Sequence, residues 1–372
     1  MSEVSMKFKK FSDICLISLA GAMLFGYGAA VFILPTADFS ETENRPLTNL
    51  SLNSAGELTN GVFAKRVTDF YCDQFPMRQT FIRIKAASEL LACKTQNNGI
   101  IIGKEGYLIP ACNYTSYDTV HKNSELFSSL SSLSKSEGKP FFCAIAPRPI
   151  DVMTSHLPTI YRGNEGQIWE TVKNREIITF TEPLRRAAAR GEYVYYKTDH
   201  HWTARGAYYA YCELGESMNF SPMSEDFFTV SKVSDGFFGT SYSKAGGIAL
   251  EGDKIELYRY AGDDLLTVKL SESGESFSGF YRYEALEDKD KYRVFLGGNY
   301  SSLTVTDGTD RKNLLLIKDS YANALIPFLA LHYNITVLDL RYYTGDLQNA
   351  VNAADEILLL HGMDTIATVS LR

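Results

Sequence analysis

Leu314-Leu315-Leu316-Ile317-Lys318-Asp319-Ser320-Tyr321-Ala322-Asn323 is the stretch that decides the fold class. Four consecutive large aliphatic residues leave no polar face. That suits a strand covered on both sides, as in a parallel sheet. Asp319 and Ser320 follow at once, and both favour the turn that starts a helix. The spacing predicts a buried parallel strand, a sharp turn and a helix reaching about residue 331. In open α/β sheets, ligands and catalytic groups gather at the carboxyl ends of such strands. A serine there projects its hydroxyl into the crevice, while the first helical amides face any oxyanion that forms. The plainer reading is a serine N-cap beside a helix-favouring aspartate.

The second informative stretch lies upstream: Tyr196-Lys197-Thr198-Asp199-His200-His201-Trp202-Thr203. It joins a strand-like run, 193–196, to a helix-like run, 204–218. Asp199 and His201 are two apart, so in an extended segment they point to the same side, and His200 to the other. A carboxylate there can hold the neighbouring imidazole in one tautomer. With Ser320, the set supplies orienter, base and nucleophile. The alternative is Asp199 as a helix cap with exposed histidines. A metal site is a weaker reading, because no HExxH motif or cysteine pair accompanies them. His200, on the other side, is expected to contact substrate or pack with Trp202 and nearby tyrosines.

These residues carry a resemblance. Thr198 to Thr203 spells TDHHWT, and the chain resembles the DHHW family of bacterial envelope proteins. That family is similar to the SGNH-hydrolase-like proteins that O-acetylate alginate. The likeness extends over Glu43-Asn44-Arg45-Pro46-Leu47, Asp73-Gln74-Phe75-Pro76-Met77-Arg78, residues 99–108, Gly239-Thr240-Ser241-Tyr242-Ser243-Lys244 and the segment from Lys318 to Asn323. It implies an SGNH-hydrolase-like three-layer α/β domain with a parallel sheet, and Asp199, His201 and Ser320 as a triad. The alginate proteins place Asp-x-His before the serine, as this chain does. By the same likeness Asn299 is a candidate oxyanion donor and Arg341 a candidate for binding a carboxylate or oxyanion. The backbone amides of Ser320 and Tyr321 would share the oxyanion. Two residues depart from the pattern: His200 inside the motif, and Lys318 where a glycine often precedes the Asp-Ser pair.

Composition sets the frame. The chain has 372 residues, enough for one large domain and a smaller one. It is 45% hydrophobic with 23 Tyr and 22 Phe, so a sizeable core is available. The net charge of −7, with no basic stripe, argues against a nucleic-acid partner. Residues 14–34 form an uncharged apolar run long enough to cross a bilayer. Lys7, Lys9 and Lys10 precede it, and Asp38, Glu41 and Glu43 follow it. The positive-inside rule puts the N-terminus in the cytoplasm and the rest outside. A cleaved signal peptide is the rival reading. The expected division is a cytoplasmic tail (1–13), a transmembrane anchor (14–34), a linker and first part of the ectodomain (35–110), and the catalytic domain (111–372). Cys15 lies in the anchor. Five further cysteines without a CxxC pair point neither to a disulfide scaffold nor to zinc. Cys143 and Cys212 read as core; pairing of Cys93 with Cys72 or Cys112 stays open.

Along the chain, 61–91 is helical with a break at Pro76, where the 73–78 corner reads as a structural bend. Residues 98–109 read as a hairpin, 116–137 as a helix and 139–146 as a buried strand. Asp151, just beyond that strand, reads as a loop residue near the crevice. Residues 166–189 read as a helix before the 193–196 strand, giving a β-α-β order. Residues 221–310 read as a β-rich insertion, a substrate-facing lobe or lid, with strands near 255–260, 265–270 and 280–283. Ser241 within it is a rival nucleophile without a strand-turn-helix setting. A run at 292–295 is expected to return to the main sheet, with Gly297, Gly298 and Asn299 at its end. The strand at 334–343 carries Arg341, which could instead pair with Asp339 or Asp319. A helix at 347–354 and a strand at 357–360 follow.

The expectation is therefore a membrane-anchored, extracytoplasmic O-acetyltransferase acting on a cell-surface or secreted polysaccharide. No acetyl-CoA site or other cofactor is expected, since that donor is cytoplasmic. The resemblance implies that a membrane-bound O-acyltransferase supplies the acetyl group. A carbohydrate O-acetyl esterase, or a non-catalytic glycan-binding protein of the same fold, are the alternatives.

Overall fold

The structure is a computed structural model that describes residues 3–371 except 41–42, 44, 52–53, 113–116, 162–167, 169–176 and 249–250. The chain divides into two compact units, Met1–Ala92 and Cys93–Arg372.

In the first unit a helix spans Glu3–Ile33. Its segment Lys10–Ile33, 24 residues with mean hydropathy 2.0, is long and apolar enough to cross a membrane, by length and composition alone. Leu16, Ile17, Leu24 and Phe25 point outward from it. Helices Val62–Asp73 and Arg78–Leu91 are separated at Pro76, where Met77 takes the left-handed conformation with φ 55. The two charged segments predicted to be notable fold onto each other here. Arg45 Nη2 and Nη1 donate to Asp73 Oδ1 and Oδ2 at 2.5 and 3.1 Å, and the Thr48 amide adds a third bond at 2.9 Å. Glu43 accepts from Arg45 Nε at 2.7 Å and from Arg78. The Arg45 guanidinium holds the Asp73 carboxyl below the ordinary carboxylate range. The 73–78 corner is thus built as a bend tied by ion pairs.

The second unit is built on an eight-stranded sheet. In chain order its strands are β1 (Phe141–Ala146), β2 (Ile178–Thr179), β3 (Thr267–Leu270), β4 (Ser276–Ser278), β5 (Ser302–Thr306), β6 (Lys312–Lys318), β7 (Tyr333–Leu338) and β8 (Glu356–Gly362). Across the sheet they run β4-β3-β5-β7-β6-β8-β1-β2. The five from β7 to β2 are parallel, and β5, β3 and β4 extend the β7 edge in antiparallel fashion.

β6 sits between β7 and β8, and all four of its aliphatic residues are fully buried. They alternate between two cores. Leu314 and Leu316 join a cluster with Trp202, Tyr211 and Phe328; Leu315 and Ile317 join one with Val120, Phe127, Val351 and Ile366. Helices Thr181–Ala189 and Ala204–Met218 therefore cover one face, and Asp118–Ser136, Leu347–Ala353 and Met363–Thr368 the other. This is the three-layer α/β arrangement. Each of these aliphatic side chains stabilises the fold by roughly 1.5–3 kcal/mol.

The structure corrects several expected elements. Residues 193–196 are not a sheet strand: Tyr195 makes one isolated antiparallel bridge with Trp202. The parallel neighbours of β1 are β8 and β2, and β2 precedes the helix Thr181–Ala189. The expected 166–189 helix is corrected: Ile178–Thr179 is strand β2 and the helix begins at Thr181, while 166–167 and 169–176 lie outside the described residues. Residues 221–310 do not form one lobe. Thr229–Phe237 and Asp253–Arg259 make a separate ribbon, while β3, β4 and β5 join the main sheet. The 292–295 run is a 3-10 turn, Lys291–Val294, and does not return to the main sheet. The 98–109 hairpin has a third strand, Gln96–Asn97. No disulfide is present among the described residues, and Cys143 and Cys212 are half-buried.

Candidate active site

Ser320 leaves the carboxyl end of β6 in a 3-10 turn, Ser320–Ala324, followed by the short helix Ile326–Leu329. The turn is fixed from several directions. Asp319, fully buried, accepts from the Tyr321 amide at 3.0 Å and from the Gly362 amide at the end of β8 at 2.8 Å. A Cβ on Gly362 would lie 2.5 Å from the Tyr321 ring, so only glycine permits this approach. The Tyr292 hydroxyl donates to the Ser320 carbonyl at 3.0 Å, and Trp202 Nε1 to the Tyr321 carbonyl at 2.9 Å. Tyr321 in turn donates its hydroxyl to the His200 carbonyl at 2.6 Å.

The loop that faces it lies outside the sheet; backbone bonds from the Leu108 amide to the Lys197 carbonyl (2.7 Å) and from the Tyr242 amide to the Thr198 carbonyl (2.9 Å) hold it, together with buried side chains. Buried Asp253 accepts from the amides of Lys197 (2.7 Å) and Thr198 (2.8 Å), from the Thr198 hydroxyl (2.5 Å) and from the Tyr193 hydroxyl. Asp199, 2% exposed, receives four donors. His201 N and Nδ1 reach Oδ1 at 3.0 and 2.6 Å; Thr240 N and Oγ1 reach Oδ2 at 2.7 and 3.0 Å. Gly239 lets the chain press on this carboxylate: a Cβ there would lie 2.3 Å from Oδ2. His201 Nε2 stands 2.8 Å from Ser320 Oγ. Its ring stacks on Tyr292 at 4.0 Å between centroids, with the planes 9° apart. The three polar side chains thus form one hydrogen-bonded line from carboxylate through imidazole to hydroxyl.

The proton positions follow from the partners. Asp199 accepts only, so His201 Nδ1 carries its proton and Nε2 accepts from Ser320. Burial, reinforced by the neighbouring His200 cation, pushes His201 down to about 4, against the pull of Asp199. His200 moves the other way: burial opposes its charge, but Asp199 raises it. Burial alone would raise Asp199, yet the two histidines hold it well below the ordinary carboxylate range. A neutral imidazole with a fixed tautomer beside a hydroxyl can accept that hydroxyl's proton. The donor atoms of Asp199, His200 and His201 also lie within 4.8 Å of one another, a spacing a divalent cation could bridge. Those of Asp199 and His201 are already engaged in the bonds above.

The other expected site residues are placed as follows. The Tyr321 amide is committed to Asp319, which corrects its expected part in an oxyanion hole. Arg341 is likewise committed: its Nε and Nη2 fork onto Asp339 at 2.8 and 2.6 Å. Asn299 is exposed, and its Oδ1 accepts from Lys318 Nζ at 3.3 Å. Lys318 is itself fully buried, bonds Asn323 Oδ1 at 2.7 Å, and is pushed down to about 8 by burial. His200 points its Nδ1 at Thr240 Oγ1, 2.8 Å away. Asp151 is buried and forked by Arg148 Nε and Nη2 at 2.8 and 2.7 Å. Sequence reasoning missed the support: Gly239 and Thr240 on Asp199, Asp253 on the loop, and Tyr292 on His201. Gly239 and Thr240 stood inside a quoted motif with no role attached. Asp253 and Tyr292 carried no local signal.

Comparison with known proteins agrees with this geometry in fold. The model of the DHHW protein family matches residues 172–338, and that of the SGNH hydrolase-like domain of acetyltransferase AlgX matches residues 100–233. A Pseudomonas fluorescens protein described as "Probable alginate O-acetylase AlgJ" is 25% identical over 187 residues, covering 47% of this chain and 47% of its own. The chain spans about half the length of the curated relatives it matches. A DHHW family protein from Eubacterium siraeum superposes with TM-score 0.59 at 21% identity, over 73% of this chain and 93% of its own. Bacillus cereus PatB1, in a structure with a sulfonyl adduct, does so with TM-score 0.60 at 20% identity, over 72% and 95%. By sequence the chain resembles the DHHW proteins and the SGNH hydrolase-like AlgX and AlgJ proteins, and by fold it resembles the DHHW family protein and PatB1.

Proposed function

We propose that the protein is a membrane-anchored O-acetyltransferase that acts on a polysaccharide outside the cytoplasm. The observation that carries this reading is the hydrogen-bonded line Asp199–His201–Ser320 at the carboxyl end of β6. Ser320 Oγ attacks the carbonyl carbon of an acetyl donor as His201 Nε2 takes its proton. The tetrahedral intermediate collapses, the donor's leaving group departs with that proton, and an acetyl ester remains on Ser320. A sugar hydroxyl then attacks the ester while His201 takes the hydroxyl proton. Collapse transfers the acetyl group to the sugar and returns the proton to Ser320. Asp199 holds the imidazole tautomer and balances its positive charge in each step. The Ser320 amide and the Asn299 side-chain amide are the candidate oxyanion donors, the latter oriented by Lys318 through its oxygen.

The helix Lys10–Ile33, with lysines before it and acidic residues after it, supports an anchor that leaves the catalytic unit outside. An acetyl donor must then be supplied on that side, and a membrane-bound O-acyltransferase is the partner suited to deliver it. The relatives described as alginate O-acetylases favour a polysaccharide acceptor. The test is to incubate the full chain in detergent with an activated acetyl ester and an oligosaccharide. Acetylated oligosaccharide is the expected product. Acetate release with no acetylated acceptor would replace the transferase by an esterase.

A further inference from the structure

A cavity of about 390 Å³ opens beside His200. It lies within the ordinary size range of ligand sites, about 300–1,000 Å³. Its two walls differ. One comes from the 96–111 segment and presents Ile100, Pro110 and Ala111 beside Asn98 and Gly99. The other comes from helices Thr240–Lys244 and Met363–Thr368 and presents Ser241, Lys244, Asp364 and Thr368. A mainly apolar wall and a wall of hydroxyls and charges match a pyranose ring, which offers C–H faces and hydroxyl edges.

One observation singles the cavity out as a site. Ser241 is 1% exposed, lines the cavity, and its Oγ has no hydrogen-bond partner among the described residues. A buried hydroxyl without a partner is destabilising unless something else supplies the bond. The orientation of His200 points the same way. Thr240 Oγ1 gives its one proton to Asp199 Oδ2, so it accepts from His200 Nδ1–H. That leaves Nε2 as the His200 nitrogen available to the cavity it lines. The His200 ring lies 3.9 Å from that of His201, between centroids, so a group bound there stands next to the base.

We infer that this cavity is the acceptor subsite: it seats one sugar ring of the glycan, with Ser241 and His200 bonding its hydroxyls. The inference rests on the transferase reading and locates that reading's second substrate. Ser241, the expected rival nucleophile, becomes a binding residue, and His200 a positioning residue that aims the acceptor hydroxyl at His201. Thr368 borders the opening, and a large side chain there would fill it.

The test uses the full chain in detergent and separates binding from chemistry. In a Ser320→Ala background, binding of cellopentaose, chitopentaose and a mannuronate pentamer is measured by calorimetry. Thr368→Trp is expected to weaken the best of these about tenfold or more through a built clash. Ser241→Ala is expected to weaken it about fivefold through one lost bond. In the active background, both changes should raise the acceptor KM by the same factors and leave the KM for p-nitrophenyl acetate at the parental value. Melting temperatures check that both variants fold, and Ser241→Ala decides if Thr368→Trp does not. Parental binding of all three probes in both variants, or no binding by the parent, would overturn the subsite. So would a rise in the ester KM alone, which would make the cavity the donor's. Binding that follows the expectation in a protein that never acetylates the sugar would instead refute the transferase reading.

Discussion

The two halves of the site are held by different means. Ser320 stands on the end of a strand paired on both sides, whose aliphatic residues feed both cores. Asp199 and His201 stand on a loop with a single bridge, held by backbone bonds from Leu108 and Tyr242 and by hydrogen bonds with Thr240 and Asp253, 40 to 60 residues downstream. One half inherits its position from the sheet; the other is assembled from buried hydrogen bonds. A network of this kind fails when any one member leaves a partner unsatisfied. The difference teaches where single substitutions should act on chemistry and where on stability.

Five substitutions probe that contrast. Ser320→Ala removes only a half-buried hydroxyl from a well-supported turn, so the fold should persist. The rate of p-nitrophenyl acetate turnover should fall on the order of 10⁴–10⁶-fold. Near-parental turnover would refute the nucleophile. Gly239→Ala and Gly362→Ala form a matched pair. The first inserts a methyl 2.3 Å from Asp199 Oδ2, the second 2.5 Å from the Tyr321 ring. Displacing the orienting carboxylate should cost about 10²-fold in rate. At Gly362 the greater cost should be a lowered melting temperature, since the methyl meets a fully ringed core position. Rates and melting curves that rank the two the other way would break the comparison.

Asp253→Ala strips acceptors from two amides and two hydroxyls at once. It should cost on the order of 3 kcal/mol of stability, read from denaturant unfolding, with activity falling alongside. Unchanged stability would mean the loop holds itself. The smallest effect concerns His200. His201 works as a base only when neutral, so activity falls as pH drops through its pKa, held at about 4 partly by the His200 cation. Asp319, farther away, pulls in the opposite direction. His200→Gln removes the cation and should move the acidic limb of kcat/KM upward, toward the ordinary histidine value of 6.5. A limb that stays in place would show that burial alone sets it.

The contrast also explains what was legible in the sequence. The run Leu314 to Ile317 could only be a doubly covered strand, so Ser320 was placed from local pattern. Asp199, His201 and Ser320 could be grouped because their side-chain types fit one chemistry. The loop's support was not legible. Gly239 matters for the atom it lacks, and Asp253 for the amides it reaches across the fold; neither leaves a periodic trace. Residues 193–196 were misread as a strand for the same reason: Val194, Tyr195 and Tyr196 are fully buried, but against helices and rings and not within the sheet. Arg341 and Tyr321 were assigned to the oxyanion from position along the chain, whereas Asp339 and Asp319, two residues before each, take their donors.

The most direct test is to trap the acyl group. The full chain is mixed with p-nitrophenyl acetate, quenched in acid within the first turnover, digested and mapped by mass spectrometry. One acetyl group on the peptide at Ser320, formed in a burst and absent from His201→Ala, is the predicted result. Continued turnover with no acetyl on Ser320, or with the acetyl on Ser241 instead, would contradict it.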